Sequence, residues 1–146
     1  REYVYFIGKE ESVFTRHFAW HPELPYNPNI LDTAAAEFQG TFDFTTFSKH
    51  NPDTESYECE LQVCRVERLP DRYLVRLRAN RFVYGMCRSI VGTIMTVARG
   101  KMDHKEIRDR IERKERDLQP GLAPAHGLVL NRVQYPSGVF DNETSF

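Results

Sequence analysis

The stretch of residues 79–93 (A-N-R-F-V-Y-G-M-C-R-S-I-V-G-T) joins the end of a predicted strand to the beginning of an apolar helix. Apolar residues recur at helical spacing along it and beyond, which predicts a helix over residues 84–99 with one wide apolar face. Arg88 stands among residues that favour burial, and an unpaired guanidinium is costly to bury. Since no carboxylate lies beside Arg88 in the sequence, we expect its partner to belong to a segment outside this chain.

The second face of this helix carries small residues where a solvated helix usually carries Lys and Glu. It contains Ser89, Gly92, Thr93 and Thr96, with an arginine towards each end. Small side chains let another element approach closely, and we expect such an approach here, with an absent half of the protein as the candidate element. An ordinary helix that is partly exposed is the alternative.

Alternating apolar and polar residues predict four strands, over residues 2–8, 57–69, 72–80 and 127–134. Helices are predicted over residues 28–39, 84–99 and 103–118, the last with Asp103 and Glu106 in capping-box spacing. For residues 41–47 an aromatic turn is favoured over a strand. We expect an α+β fold, a mainly antiparallel sheet with helices packed on one face. One domain over residues 1–136 and a loose tail over residues 137–146 are expected.

The composition is that of a soluble globular protein, with 40% hydrophobic and 28% charged residues among 146. No apolar run approaches the roughly 18 residues that a membrane span needs, so no membrane partner is expected. Three cysteines without metal-type spacing indicate reduced thiols in a cytoplasmic protein, and Cys59 and Cys64 are expected on opposite faces of their strand. The chain begins with Arg1 rather than Met and enters the first predicted strand at once, which favours a fragment of a longer chain.

Charge is distributed unevenly although the net charge is −1. Residues 65–116 contain 15 Lys or Arg against 7 Asp or Glu, and the rest of the chain is acidic. Basic segments of this kind can bind phosphates. The alternative is a solvated helix with many ion pairs, particularly over residues 103–116, where acids and bases alternate.

Sequence motifs for a complete active site are lacking. The chain has no phosphate-binding glycine loop, no H-E-x-x-H and no paired C-x-x-C. His17 and His21 are four residues apart, but Trp20 and Pro22 make a helix there improbable, so no metal site is expected.

Four segments carry a resemblance to a known family: residues 1–5 (R-E-Y-V-Y), 40–47 (G-T-F-D-F-T-T-F), 79–101 and 123–130 (A-P-A-H-G-L-V-L). In this order they resemble the C-terminal half of the tRNA pseudouridine synthase A family, and the first is similar to its R-x-Y-x-Y strand. The match around Arg88 is specific, with Phe82, Met86 and Ile90 in register.

The resemblance implies an enzyme that converts uridines in the anticodon arm of tRNA to pseudouridine, as a homodimer and without a metal or organic cofactor. The family's nucleophile is an aspartate in a motif of the R-T-D-A-G-V type, and no such motif occurs in this sequence. The chain is therefore expected to be the C-terminal domain of such an enzyme and to be inactive by itself. Its expected partners are the tRNA anticodon stem-loop, the N-terminal half of the same protein and a second copy.

Roles for four residues also follow from the resemblance. Arg88 matches the arginine that pairs with the catalytic aspartate, where a guanidinium within ~4 Å keeps a carboxylate ionised. Tyr3 matches the tyrosine that stacks on the extruded uracil, a contact worth about 1–3 kcal/mol. Phe82 and Leu128 match apolar positions of the uracil pocket that exclude water. Plain core packing is the alternative for Tyr3, Phe82 and Leu128.

Two positions depart from the family pattern: Phe42 stands where the family usually has His, and Cys59-Glu60-Leu61 stands in place of an R-x-I pattern. Both leave open how RNA contact or dimer packing differs here. Charge alone makes five cations candidates for contact with the tRNA cleft: Arg76, Arg78, Arg81, Arg99 and Lys101. A non-catalytic RNA-binding or oligomerisation module with this fold is the alternative function.

Overall fold

The computed structural model describes residues 1–9, 17–133 and 142–143, and within these it has one antiparallel sheet with helices against it. The six strands are β1 (Glu2–Gly8), β2 (Gly40–Asp43), β3 (Glu58–Arg68), β4 (Arg72–Ala79), β5 (Leu128–Val133) and β6 (Asn142–Glu143), in the order β2-β3-β4-β1-β5-β6. The helices are α1 (Leu31–Ala36), α2 (Met86–Ala98) and α3 (Glu106–Arg113). The predicted α+β fold is confirmed.

The helices cover the sheet face towards which the apolar residues of β4 point. Along β4 buried and less buried residues alternate, so that Val75 and Leu77 face the core. Opposite them in the register lie Tyr5 and Tyr3 of β1, which therefore point to the same face. Ile90 and the other buried residues of α2 complete this core. The register thus brings Tyr3 to the helical side of the sheet.

The other face of the sheet carries a network of charged side chains. Glu2 is only 4% exposed, and its carboxylate accepts a hydrogen bond from Asn131 Nδ2 at 2.7 Å. Arg76 lies 3.4 Å from Glu2 and 3.1 Å from Glu67, and Arg78 lies 3.8 Å from Glu2. These contacts join four neighbouring strands through charged groups.

Glu67 gives the chain a testable pH dependence. The hydrogen bond from Arg76 lowers the pKa of Glu67 below its ordinary 4.5. A carboxyl group with a lowered native pKa stabilises the fold above its unfolded pKa, and this contribution is lost as the pH falls through the native pKa. The free energy of unfolding of the wild type should therefore fall further between neutral pH and pH about 3 than that of Glu67→Gln. Because Arg76 and Glu67 are partly exposed, we expect this extra loss to be up to about 1 kcal/mol.

Urea unfolding at the two pH values measures this difference. Glu60→Gln is the matched control, since Glu60 is an exposed glutamate of the same strand without an ion pair among the described residues. An identical pH dependence in wild type and Glu67→Gln would contradict the prediction.

The expected opposite orientation of Cys59 and Cys64 is wrong. Pairing between β3 and β4 shifts by one residue between Leu61 and Val63, and this bulge reverses the alternation beyond it. Both thiols therefore lie in the core, unpaired like that of Cys87. Burial raises the pKa of all three thiols, which disfavours the reactive thiolate.

Two predicted elements also differ from the structure. The aromatic turn favoured for residues 41–47 is wrong over its first part, because Gly40–Asp43 pairs with β3, while Phe44 and Phe47 are buried in the turn that follows. The third helix is shorter than residues 103–118, since it ends where Lys114 adopts a left-handed conformation. Of the two bonds of the predicted capping box, the one from Asp103 N to Glu106 Oε2 is present, while Asp103 Oδ1 accepts from Lys105 N instead of Glu106 N.

Other features can be stated only for part of the chain. The predicted tail over residues 137–146 lies outside the described residues except for β6. None of the helices within the described ranges is long and apolar enough to cross a membrane. These ranges also contain no group of three or more His, Cys, Asp or Glu side chains arranged to hold a metal ion.

Candidate active site

One cavity of about 420 Å³ brings together the four residues to which the sequence assigns a role at the active site. Tyr3 comes from β1, Phe82 from the loop after β4, Arg88 from the first turn of α2, and Leu128 from the start of β5. These residues come from three separate segments of the sequence, and the sheet register and the helix start bring them together. The volume falls in the range of small-molecule pockets.

Arg88 is held by the backbone of a neighbouring segment. Its Nε donates to the carbonyl of Ala123 at 2.7 Å, and Ala123 N donates to the carbonyl of Arg88 at 3.0 Å. No carboxylate of the described residues forms an ion pair with Arg88. The side chain therefore has a fixed position and a charge that this part of the chain does not neutralise. Its pairing with an aspartate from elsewhere stays a prediction.

The electrostatics of the cavity favour an anion. The first turn of α2 has no side-chain cap and no acidic residue, and its N-cap is Gly85 in the left-handed conformation. The positive end of the helix dipole and the Arg88 guanidinium thus lie at the same cavity. A carboxylate placed here would have its ionised form stabilised by both.

Tyr3 is partly buried in the wall of the cavity. Its ring meets Phe82 edge to face, with the ring centroids 5.0 Å apart and the planes at 90°. Such a pair is a favourable aromatic geometry and holds the Tyr3 ring at a defined angle. The remaining apolar wall includes Val83, Met86 and Leu128. An aromatic plate beside apolar side chains is suited to a planar base.

Residues 119–128, which we call the covering segment, pack against the face of α2 that carries small side chains. A Cβ placed on Gly92 would lie 2.7 Å from the backbone carbonyl group of Gly121, and Gln119 Nε2 donates to Ser89 Oγ at 2.6 Å. The expected close approach is confirmed. The prediction that an absent half of the protein makes this approach is wrong, because the covering segment belongs to this chain. The alternative, a helix face that is partly exposed, is wrong for Ser89, Gly92 and Thr93, which are buried.

Tyr5 is a site-supporting residue that the sequence analysis missed. It is fully buried, and its hydroxyl donates to the carbonyl of Pro124. Its ring also lies against Gly127, where an added Cβ would come within 2.7 Å of it. Burial raises the pKa of the Tyr5 phenol, so the hydroxyl stays a donor. The second Tyr of the R-x-Y-x-Y segment was the available signal, since it shares a sheet face with Tyr3.

The five cations proposed for RNA contact do not line the cavity. Arg76 and Arg78 form ion pairs on the opposite face of the sheet, and Arg81 NH1 donates to the carbonyls of Ser56 and Glu58. Arg99 and Lys101 follow the C-terminal end of α2, about 20 Å from its start. A contact of these residues with RNA stays a prediction.

Two residues that the sequence analysis did not select do line the cavity, Lys49 and Tyr84. Lys49 lies two residues beyond the segment 40–47, and Tyr84 lies at the predicted start of a helix. Both lie in segments without regular secondary structure, so no periodic sequence pattern predicts that they line the cavity.

Comparison with known proteins identifies similar sequences over most of the chain. A family model described as tRNA pseudouridine synthase matches residues 34–136. The tRNA pseudouridine synthase A of Shouchella clausii is 36% identical over 99% of this chain and 56% of its own length. Those of Anoxybacillus flavithermus and Porphyromonas gingivalis are 34% and 32% identical over 92% and 96% of this chain, and 55% and 56% of their lengths. The chain thus spans about half the length of these curated relatives.

Proposed function

Because the chain belongs to the tRNA pseudouridine synthase family, we propose that it is the C-terminal half of an enzyme that isomerises uridine to pseudouridine in the anticodon arm of tRNA. One observation carries the proposal: Arg88, Tyr3, Phe82 and Leu128 surround a single cavity, and no described carboxylate neutralises Arg88. The proposed partner of Arg88 is the catalytic aspartate of an N-terminal half. Assembly as a homodimer and a cytoplasmic location belong to the same proposal.

The geometry supports a division of labour between the two halves. The isomerisation breaks the bond between N1 and C1′ of uridine and forms one between C5 and C1′, while C5 loses a proton and N1 gains one. The carboxylate from the other half acts at the sugar or base, and Arg88 keeps it ionised and oriented. Tyr3 stacks on the extruded ring in whichever orientation the ring turns, since stacking does not depend on the ring's edges.

Water exclusion is the second task of this chain. The uracil detached during the reaction must stay in place until it rejoins the sugar through carbon. Phe82 and Leu128 supply apolar walls to the cavity, and Ala123 of the covering segment accepts the hydrogen bond that fixes Arg88. A cavity walled in this way keeps the detached base close and limits the access of water.

An activity assay with two forms of the protein tests the proposal. The first form, which we call the joined protein, contains this chain and the proposed N-terminal half. It is expected to form pseudouridine in the anticodon arm of unmodified tRNA transcripts, measured by carbodiimide labelling and mass spectrometry. This chain alone is expected to form none, because it lacks the nucleophile. Transcripts with cytidine at the anticodon-arm uridines are the control. If the joined protein binds tRNA without forming pseudouridine, the non-catalytic module is the better description.

A further inference from the structure

Lys49 and Tyr84 stand side by side at the opening of the cavity. Lys49 Nζ lies 5.6 Å from the centroid of the Tyr84 ring, within the range of a cation–π contact. Both side chains are exposed, Tyr84 to 64%. Neither is used by the proposed isomerisation chemistry.

The backbone fixes the relative position of these two residues. Lys49 N donates to the carbonyl of Tyr84 at 2.7 Å, which joins the turn after β2 to the loop before α2. Gly85 turns the chain in the left-handed conformation, and a Cβ at this position would lie 3.3 Å from Lys49 Cγ. The aliphatic part of Lys49 therefore runs along a glycine, and its ammonium group lies beside the exposed ring of Tyr84.

Charge at the opening has one sign. The residues that line the cavity include the cations Lys49 and Arg88 and no Asp or Glu. Lys49 forms no ion pair within the part of the chain that the structure describes. A free ammonium group beside an exposed aromatic ring is the combination with which proteins hold single-stranded nucleic acid, by phosphate contact and base stacking.

We infer that Lys49 and Tyr84 form a subsite for the nucleotide next to the extruded uridine, with the phosphodiester on Lys49 Nζ and the neighbouring base on the Tyr84 ring. The inference rests on the proposed function, since it requires a uridine on Tyr3. With that base inside the cavity, the RNA backbone has to pass the opening, where these two side chains stand. Stacking on Tyr84 does not select a base, so the subsite adds affinity at anticodon-arm sites of different sequence.

Binding of an anticodon stem-loop RNA to the joined protein tests the subsite. Lys49→Met is expected to raise Kd about tenfold and to reduce the slope of log Kd against log salt by about 0.7, the value for one phosphate contact on a single strand. Lys49→Arg should stay near wild type. Tyr84→Ala is expected to raise Kd about tenfold and Tyr84→Phe to leave it unchanged, because only the ring is needed. Lys105→Met, at an exposed lysine before α3, is the matched control.

A substrate with one neutral phosphate identifies the contact. A methylphosphonate at a linkage next to the target uridine should weaken binding by the wild type to the level of Lys49→Met and have no further effect on Lys49→Met. If the methylphosphonate weakens binding by Lys49→Met as much as it weakens binding by the wild type, the two groups do not contact each other and the subsite is wrong. An unchanged Kd and salt slope in Lys49→Met also overturns the subsite.

The two proposals fail in distinguishable ways. Lys105→Met, at an exposed lysine that does not line the cavity, should keep the wild-type single-turnover rate and the wild-type Kd. A wild type that forms pseudouridine while Lys49→Met binds normally overturns the subsite alone. A wild type that forms none overturns the proposed function, and the subsite with it.

Discussion

Replacement of Arg88 by alanine in the joined protein is expected to slow pseudouridine formation about a thousandfold, the effect of leaving one partner of a buried ion pair alone. The guanidinium is held in the cavity by the carbonyl of Ala123 and meets no carboxylate of the described residues, so its charge is available to a group from elsewhere. Without it, an aspartate in the cavity loses the interaction that keeps it ionised. Single-turnover rates on unmodified tRNA transcripts measure the change.

The Kd for tRNA distinguishes a role of Arg88 in the reaction from a general role in folding or in RNA binding. The Kd for tRNA should change by less than about threefold, because the proposed partner of Arg88 is a carboxylate of the protein and not the RNA. Arg88→Lys keeps the charge but not the planar group that reaches Ala123, and a loss of about tenfold to a hundredfold is expected. Arg113→Ala, which removes an exposed ion pair with Asp109, serves as the control. Normal turnover by Arg88→Ala would refute the pairing.

Local patterns predicted the elements on which the site stands. The helical spacing of Met86, Ile90 and Ile94 predicted the bounds of α2 to within a few residues, because one face of that helix is buried against the sheet. The alternation in β4 gave the buried face of the sheet for the same reason. The placing of a charged Arg88 among apolar neighbours is visible in the sequence, since both are local properties, whereas the lack of an ion pair with a described carboxylate is seen only in the structure.

Features that depend on pairing between distant segments were not predictable in this way. The bulge in β3 is imposed by pairing with β4, and it placed Cys64 on the core side against the simple alternation. Lys49 and Tyr84 meet through one backbone hydrogen bond between two irregular segments. Such segments have no periodic sequence pattern from which the contact could be predicted.

The covering segment is the clearest case of a feature that was seen but assigned to the wrong element. Small side chains on α2 required a close neighbour, and composition could not say whether that neighbour came from this chain. In the structure the same segment contacts Gly92, accepts the hydrogen bond of Arg88 at Ala123 and continues into Leu128. Packing on α2 and the position of Arg88 are therefore coupled.

Gly92→Ala is the substitution that tests this coupling, and it is expected to lower the free energy of unfolding by about 1–3 kcal/mol. The added Cβ would lie 2.7 Å from the backbone carbonyl group of Gly121, so a backbone segment has to move. The loss should occur although alanine has the better helix propensity by about 1 kcal/mol. Displacement of the covering segment should also withdraw Ala123 from Arg88 and slow the single-turnover rate about tenfold. Urea unfolding and the transcript assay measure the two effects.

Gly121→Ala is the matched control from the other side of the same contact. Its Cβ would lie 3.4 Å from Thr96 Oγ1 and 3.6 Å from the Gly92 carbonyl, which are ordinary van der Waals distances. Its stability is expected to stay within about 0.5 kcal/mol of wild type. Equal effects of the two substitutions would mean that the contact is not limited by the backbone of the covering segment. A destabilised Gly92→Ala with a normal single-turnover rate would mean that Arg88 keeps its position without that segment, and the proposed coupling would be wrong.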